Sequence, residues 1–263
     1  MPLLIVAVTL LGLAIGSFLN VVVHRVPLEQ SLSRPPSQCP SCKASIRKRH
    51  NVPVLGWLAL GGRCADCAAP ISLRYPLVEL GTATLFVALT WQLDRLQLLP
   101  ALPAYLCFAA IGISLSLIDL DVKRLPNSIV LPSYPVLALL LTIAAVVLDD
   151  PASLVRAGVC GLALFGCYLI LAFSYPAGMG FGDVKLAGIV GGMLGFLSYQ
   201  ALLVGAFAAF LTGGVVGVLV IALRLGSRKS SIPFGPFMIV GALLALFATN
   251  PIADFYARLI LST

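Results

Sequence analysis

Two groups of residues in this chain are equipped for chemistry. Asp119 ends the run Ile111-Gly-Ile-Ser-Leu-Ser-Leu-Ile118, and Asp183 closes Gly180-Phe-Gly-Asp183. Only 10 of the 263 residues are acidic, and mean hydropathy is +1.04. A carboxylate at a helix centre in lipid costs roughly 2.5–3.5 kcal/mol on insertion scales, so such residues are rare unless they have a use. Two carboxyls sharing one site cannot both ionise cheaply; one keeps its proton. The ionised member can take a proton from water while the protonated one donates to a carbonyl, which is acid–base chemistry suited to a peptide bond.

The second group is Cys39-Pro-Ser-Cys42 and Cys64-Ala-Asp-Cys67, with 21 residues between the pairs. Each C-x-x-C brackets a turn that aims two thiolates at one ion, and two such turns complete a tetrahedral four-cysteine zinc site of ribbon spacing. A closed site of four thiolates has no open coordination position, so the zinc is expected to be structural rather than catalytic. A disulfide reading is disfavoured by a reducing compartment. A thioredoxin-type pair would need a βαβ context that the sequence does not offer. Cys107, Cys160 and Cys167 have no partner spacing and read as packing residues.

Membrane helices would have to hold these groups in place. With 60% hydrophobic and 10% charged residues, the expected class is an all-α polytopic membrane protein carrying a cytoplasmic zinc-ribbon-like loop. A span needs about 20 apolar residues. Eight runs qualify: 2–23, 77–93, 101–118, 128–148, 154–175, 184–198, 200–223 and 232–249, the sixth being the shortest. Pro132 and Pro135 should bend the fourth. The first run lacks a preceding basic residue and a clear small-residue cleavage site, so it reads as a retained span. The expected organisation is a first helix over 1–24, a cytoplasmic zinc-binding loop over 25–76 and a membrane domain over 77–263.

Charge assigns the sides. Segment 25–76, the 119–127 loop, the 176–185 hairpin and the 224–231 loop together hold 14 of the 17 basic residues. Basic loops stay in the cytoplasm, so both termini are expected outside and both aspartates at the cytoplasmic face. The net charge of +7 is thereby explained by membrane orientation and anionic lipid, and nucleic acid is not an expected partner. His24 reads as a polar residue at the membrane boundary and His50 as a loop residue.

Local context separates the acids. Asp121 is flanked by Lys123 and Arg124, as a solvated loop residue would be, whereas Asp119 abuts eight mostly apolar residues. Asn127 or Ser128 could cap the following helix, and Asp183 could be an ordinary N-cap. Gly178, Gly180 and Gly182 would let a substrate strand approach closely. A transporter using intramembrane aspartates for proton or cation coupling is the alternative; it predicts internal repeats meeting near the midplane, and none is evident. A non-catalytic scaffold would leave the polar Gly180–Lys185 hairpin unexplained.

In order along the chain stand Gly16-Ser-Phe-Leu-Asn20-Val-Val22 with Arg25-Val-Pro27, the two C-x-x-C pairs, Arg74-Tyr-Pro-Leu-Val-Glu79-Leu80, Ile118-Asp119-Leu-Asp121 leading to Leu125-Pro126-Asn127, and Gly180-Phe-Gly-Asp183-Val-Lys185. This series resembles the type IV prepilin peptidases, bifunctional leader peptidases and N-methyltransferases, over nearly the whole chain. The resemblance implies catalytic aspartates seven residues before the Leu-Pro proline and at the end of G-x-G-D: Asp119 and Asp183, with Asp121 a non-catalytic neighbour. It also implies prepilin and type II secretion pseudopilin substrates, cut after a glycine at the cytoplasmic face of the bacterial inner membrane. The new N-terminal residue would then be methylated with S-adenosylmethionine. No glycine-rich nucleotide loop after a strand is found, so no cofactor-binding residues are assigned. Arg25, Arg74 and Glu79 are contributors to weigh for the methyltransferase half, and Glu79 reads more simply as the partner of a nearby arginine.

Overall fold

The computed structural model describes residues 1–174, 179–224 and 233–261, the last thirteen of these as backbone only. Gly178, Arg228 and Lys229 lie outside the described residues. The helices are α1 (Pro2–Arg25), α2 (Leu55–Ala59), α3 (Arg74–Arg95), α4 (Leu102–Val122), α5 (Asn127–Val147), α6 (Pro151–Ser174), α7 (Phe181–Leu197), α8 (Tyr199–Ala222) and α9 (Gly235–Leu261). Among the described residues the only β pairing is two isolated bridges, Gln38 with Ser45 and Arg63 with Pro70. Among the described residues six helices, α1, α3, α4, α5, α6 and α8, are long and apolar enough to cross a membrane, and α9 contains a shorter apolar stretch, Gly235–Ala248. The sequence predicts eight spans. The sixth of them, α7, has 17 residues and a length of about 25 Å, short of a hydrocarbon core of roughly 30 Å.

Contacts divide the chain into two compact units, Met1–Arg95 and Leu96–Thr263. In the first, α1 packs along α3. Gly12 and Gly16 make this possible: a Cβ on Gly12 would lie 2.6 Å from the Ala83 Cα, and one on Gly16 2.7 Å from the Glu79 Cα. Lipid offers no hydrophobic drive between helices, so small residues four apart let backbones close to van der Waals range.

In the second unit, α6 packs along α7 and α8 along α9, while α4 and α7 both meet α9. Helix α7 is glycine-rich, and a Cβ on Gly191 would lie 2.5 Å from the Cys160 carbonyl oxygen. Cys160 is buried in this contact, as a packing cysteine should be, whereas Cys107 is half-buried and Cys167 exposed. The far end of α7 is finished by Arg156 of α6. Its guanidinium donates to the carbonyls of Gly195 at 2.7 Å and Phe196 at 2.6 Å, satisfying acceptors that have no partner inside the helix. Tyr105 of α4 donates to the Met193 carbonyl at 2.8 Å.

Candidate active site and metal centre

Asp119 lies in the last turn of α4 and is 5% exposed. Its neighbourhood is built by a distant segment. The backbone N–H of Gly235 donates to Asp119 Oδ2 at 3.1 Å. The first N–H groups of a helix have no partner within it, so the start of α9 has this donor to offer. Any side chain at Gly235 would obstruct the arrangement: a Cβ there would lie 2.8 Å from Asp119 Oδ2 and 3.4 Å from Leu125 Cδ2. The preceding Phe234 stacks in tilted fashion against Phe210 of α8 (5.2 Å between centroids) and Tyr168 of α6 (6.1 Å), which fixes where α9 begins.

Asp183 is 9% exposed and sits in the first turn of α7. The sequence suggests it as an N-cap, but the cap is Gly180 and Asp183 is the third helical residue. Its carboxylate reaches back to accept from the Gly180 N–H at 3.1 Å, while its own N–H donates to the Gly180 carbonyl at 3.0 Å. This reciprocal pair is the carboxylate half of a capping box, which satisfies two backbone groups at the helix start.

The two carboxylates lie within electrostatic range of each other. Leu125 is the physical link. Its side chain packs on Gly235, which serves Asp119, and on Gly182, where a Cβ would lie 2.9 Å from Leu125 Cβ. Gly182 is thus small because Leu125 needs the space. Asp121 lies two residues further along α4 than Asp119 and is exposed. Asn127 does not cap α5: the cap is Pro126, and Asn127 Oδ1 accepts from Lys185 Nζ at 2.8 Å. Gly235 and Leu125 are site residues that sequence reasoning missed. Leu125 stands out only as part of the Leu-Pro-Asn run, and Gly235 has no local signal tying it to a residue 116 positions earlier.

The four cysteines Cys39, Cys42, Cys64 and Cys67 converge, with all Sγ atoms within 4.8 Å of one another. Cys39 and Cys67 are 3.8 Å apart and Cys42 and Cys64 4.0 Å. A tetrahedron with Zn–S bonds of about 2.3 Å has S···S edges of about 3.8 Å, so the arrangement is compatible with structural zinc. Both knuckles have the same construction. Cys39 N–H donates to the Ala44 carbonyl and Lys43 N–H to the Cys39 carbonyl; Cys64 N–H donates to Ala69 and Ala68 N–H to Cys64. Lys43 (φ 60°) and Ala68 (φ 55°) occupy the same left-handed position in each turn. Backbone N–H groups of Cys42 and Ser41 pull the Cys39 thiol down from the ordinary thiol value, favouring its thiolate. An exposed ion pair, Arg47 to Asp66 at 2.9 Å, joins the knuckles and is worth at most about 1 kcal/mol.

Arg25 is turned to folding the loop: its guanidinium donates to the Ser31 and Pro35 carbonyls at 2.9 and 2.8 Å. The Glu79 carboxylate accepts from the Val54 N–H at 2.7 Å. Val54 has φ 61°, a strained conformation for a β-branched residue, and the buried Glu79 carboxylate holds it there.

Comparison with known proteins bears on both units. Residues 10–93 match the model of the bacterial peptidase A24 N-terminal domain, and residues 106–218 that of the type IV leader peptidase family. Among curated relatives, prepilin leader peptidase/N-methyltransferase of Pseudomonas putida is 36% identical over 265 residues, covering 90% of this chain and 88% of the relative. The protein of that name from Aeromonas hydrophila is 34% identical, with 95% and 92% covered, and that from Myxococcus xanthus 38% identical, with 88% and 68% covered. No solved structure matches. A multi-pass membrane protein whose two units match these two models in order, with relatives aligned end to end, belongs to the type IV leader peptidase family.

Proposed function

We propose that this enzyme cleaves the basic leader of type IV prepilins and type II secretion pseudopilins with Asp119 and Asp183 as its acid–base pair, and then N-methylates the new N-terminal residue. The observation that carries the peptidase half is the arrangement of two buried carboxylates, each held by a backbone N–H, with Leu125 packed between their supporting glycines. A water between the carboxyls loses a proton to the ionised member and attacks the scissile carbonyl, whose oxygen accepts a hydrogen bond from the protonated one. The amine then leaves with a proton returned by the pair. Because the two groups titrate as a unit, the pair rather than either residue carries the acid and base roles. Asp121 takes no part.

The reading places the pair at the cytoplasmic face of the bacterial inner membrane, with both termini periplasmic, on the strength of the loop charges. Within it, the peptidase chemistry belongs to 77–263. Cys39, Cys42, Cys64 and Cys67 would hold a zinc ion that folds the loop over 25–76, the part associated with methyl transfer. S-adenosylmethionine supplies the methyl group when bound. The described residues include no strand leading into a glycine-rich helix start, so no residue is assigned to that donor.

The decisive assay uses the purified full chain with a prepilin substrate. Asp119→Asn and Asp183→Asn should each abolish cleavage while Asp121→Asn retains it. Full cleavage by either of the first two variants would remove the dyad.

A further inference from the structure

Lys185 reads at first as an ordinary cation at a membrane boundary, but its contacts are specific. Two residues past Asp183, it lies about 200° around α7 and so points away from that carboxylate. What it grips is α5. Its ammonium donates to Asn127 Oδ1 at 2.8 Å and sits 5.1 Å from the Phe181 ring centroid. The Tyr134 hydroxyl donates to the backbone carbonyl of the same lysine at 2.5 Å. That hydroxyl occupies the notch left by Gly188, where an added Cβ would collide with it. Two turns of α5 are therefore fastened to one residue of α7 by two hydrogen bonds, one through its side chain and one through its backbone.

The fastening closes a ring. The Lys123 N–H donates to the Asp119 carbonyl at 2.9 Å, ending α4. The chain then runs through Leu125, packed on Gly182, to Asn127. From Asn127 the ring crosses to Lys185 and returns two residues to Asp183. We infer that Lys185 and Asn127 are a positioning pair that sets the separation of the two carboxylates, Tyr134 holding the lysine backbone in register. This rests on the aspartate reading above. A misplacement of about 1 Å is enough to cost about a hundredfold in rate, so a bond remote from the chemistry can govern turnover.

The test is a kinetic series on the full chain with a prepilin substrate: Lys185→Met, Asn127→Leu, the double variant, Asn127→Asp and Tyr134→Phe, with Asp183→Asn beside them. Lys185→Met and Asn127→Leu should each lower kcat about tenfold or more with KM within about twofold. The double variant should lose no more than either single, since both break one bond. Asn127→Asp keeps the acceptor and should retain kcat. Wild-type kinetics for both Lys185→Met and Asn127→Leu would overturn the proposal. So would a raised KM for Lys185→Met alone, which would make the lysine a substrate contact. If Lys185→Met fails to fold, Asn127→Leu and Tyr134→Phe interrogate the pair from α5, and undiminished kcat in both overturns it. Active Asp183→Asn would instead sink the aspartate reading, whereas inactive Asp183→Asn with fully active Lys185→Met and Asn127→Leu sinks only the positioning role.

Discussion

Asp119 and Asp183 are the same residue type in one proposed pair, yet they are held by opposite strategies. Asp183 is supported from three residues away, by a capping box that the first turn of α7 makes almost on its own. Asp119 is supported from 116 residues away, by an N–H that is in place only if α9 starts where it does. One carboxylate is therefore preorganised locally and the other by tertiary structure. The contrast locates the weak point of the site: damage to α7 is felt at one residue, but any shift of α9 moves the donor that Asp119 depends on.

Glycine substitutions put this contrast at risk. Gly235→Ala should have the largest effect, because its Cβ would stand 2.8 Å from the carboxylate oxygen; a loss of about a hundredfold in kcat, read in the prepilin assay, is expected. Retained activity would mean that α9 does not position Asp119. Gly182→Ala comes next. Its Cβ would lie 2.9 Å from Leu125 Cβ, pushing the first turn of α7 off its support, with about a tenfold loss. Gly180→Ala should be the mildest. Its φ of −78° suits any residue, and the nearest atom to an added Cβ is Asp183 Oδ2 at 3.5 Å, an ordinary contact. A change within about threefold is expected, as for other substitutions with no named destabilising mechanism. A large loss there would instead show that a substrate strand needs the space beside Gly180.

The cysteine knuckles belong with Asp183, since they too are built locally, twice over. Zinc needs thiolates, so its binding should weaken as pH falls. The lowered Cys39 thiol favours the thiolate, so it holds metal to lower pH than an ordinary thiol would. Zinc release followed with a chelating dye should rise as pH falls for the wild type, and Cys39→Ser should release metal at higher pH. An unchanged release curve for that variant would remove Cys39 from the ligand set.

What is legible in the sequence follows the same division between local and distant. The knuckle spacing forecasts a convergent four-cysteine cluster because each half is a short local turn. The burial of Asp119 is foreseeable from its apolar flank. Three details are not. Asn127 looks like a helix cap, but its side chain is taken by a lysine 58 residues later. Glu79 looks like an ion-pair partner, and its hold on a strained backbone N–H from a loop 25 residues earlier carries no local signal. Gly235 carries no signal at all. In each case the deciding neighbour is remote in sequence, and periodicity or capping rules cannot see it. Helix α7 is short, as the sixth apolar run is in the sequence: its 17 residues include the first turn that carries the capping box, where a full span would use about 20.

That short helix has a mechanical consequence. Its far end is riveted by the Arg156 guanidinium and the Tyr105 hydroxyl, and its near end by Tyr134 and Asn127. A strut fixed at both ends cannot slide along its axis to admit a substrate. Movement that admits a substrate is therefore expected on the other wall, where α9 rests against α4 and the Gly235 N–H reaches the Asp119 carboxylate. Opening for substrate and loosening of Asp119 would then be one motion, and the site would complete itself as the wall closes.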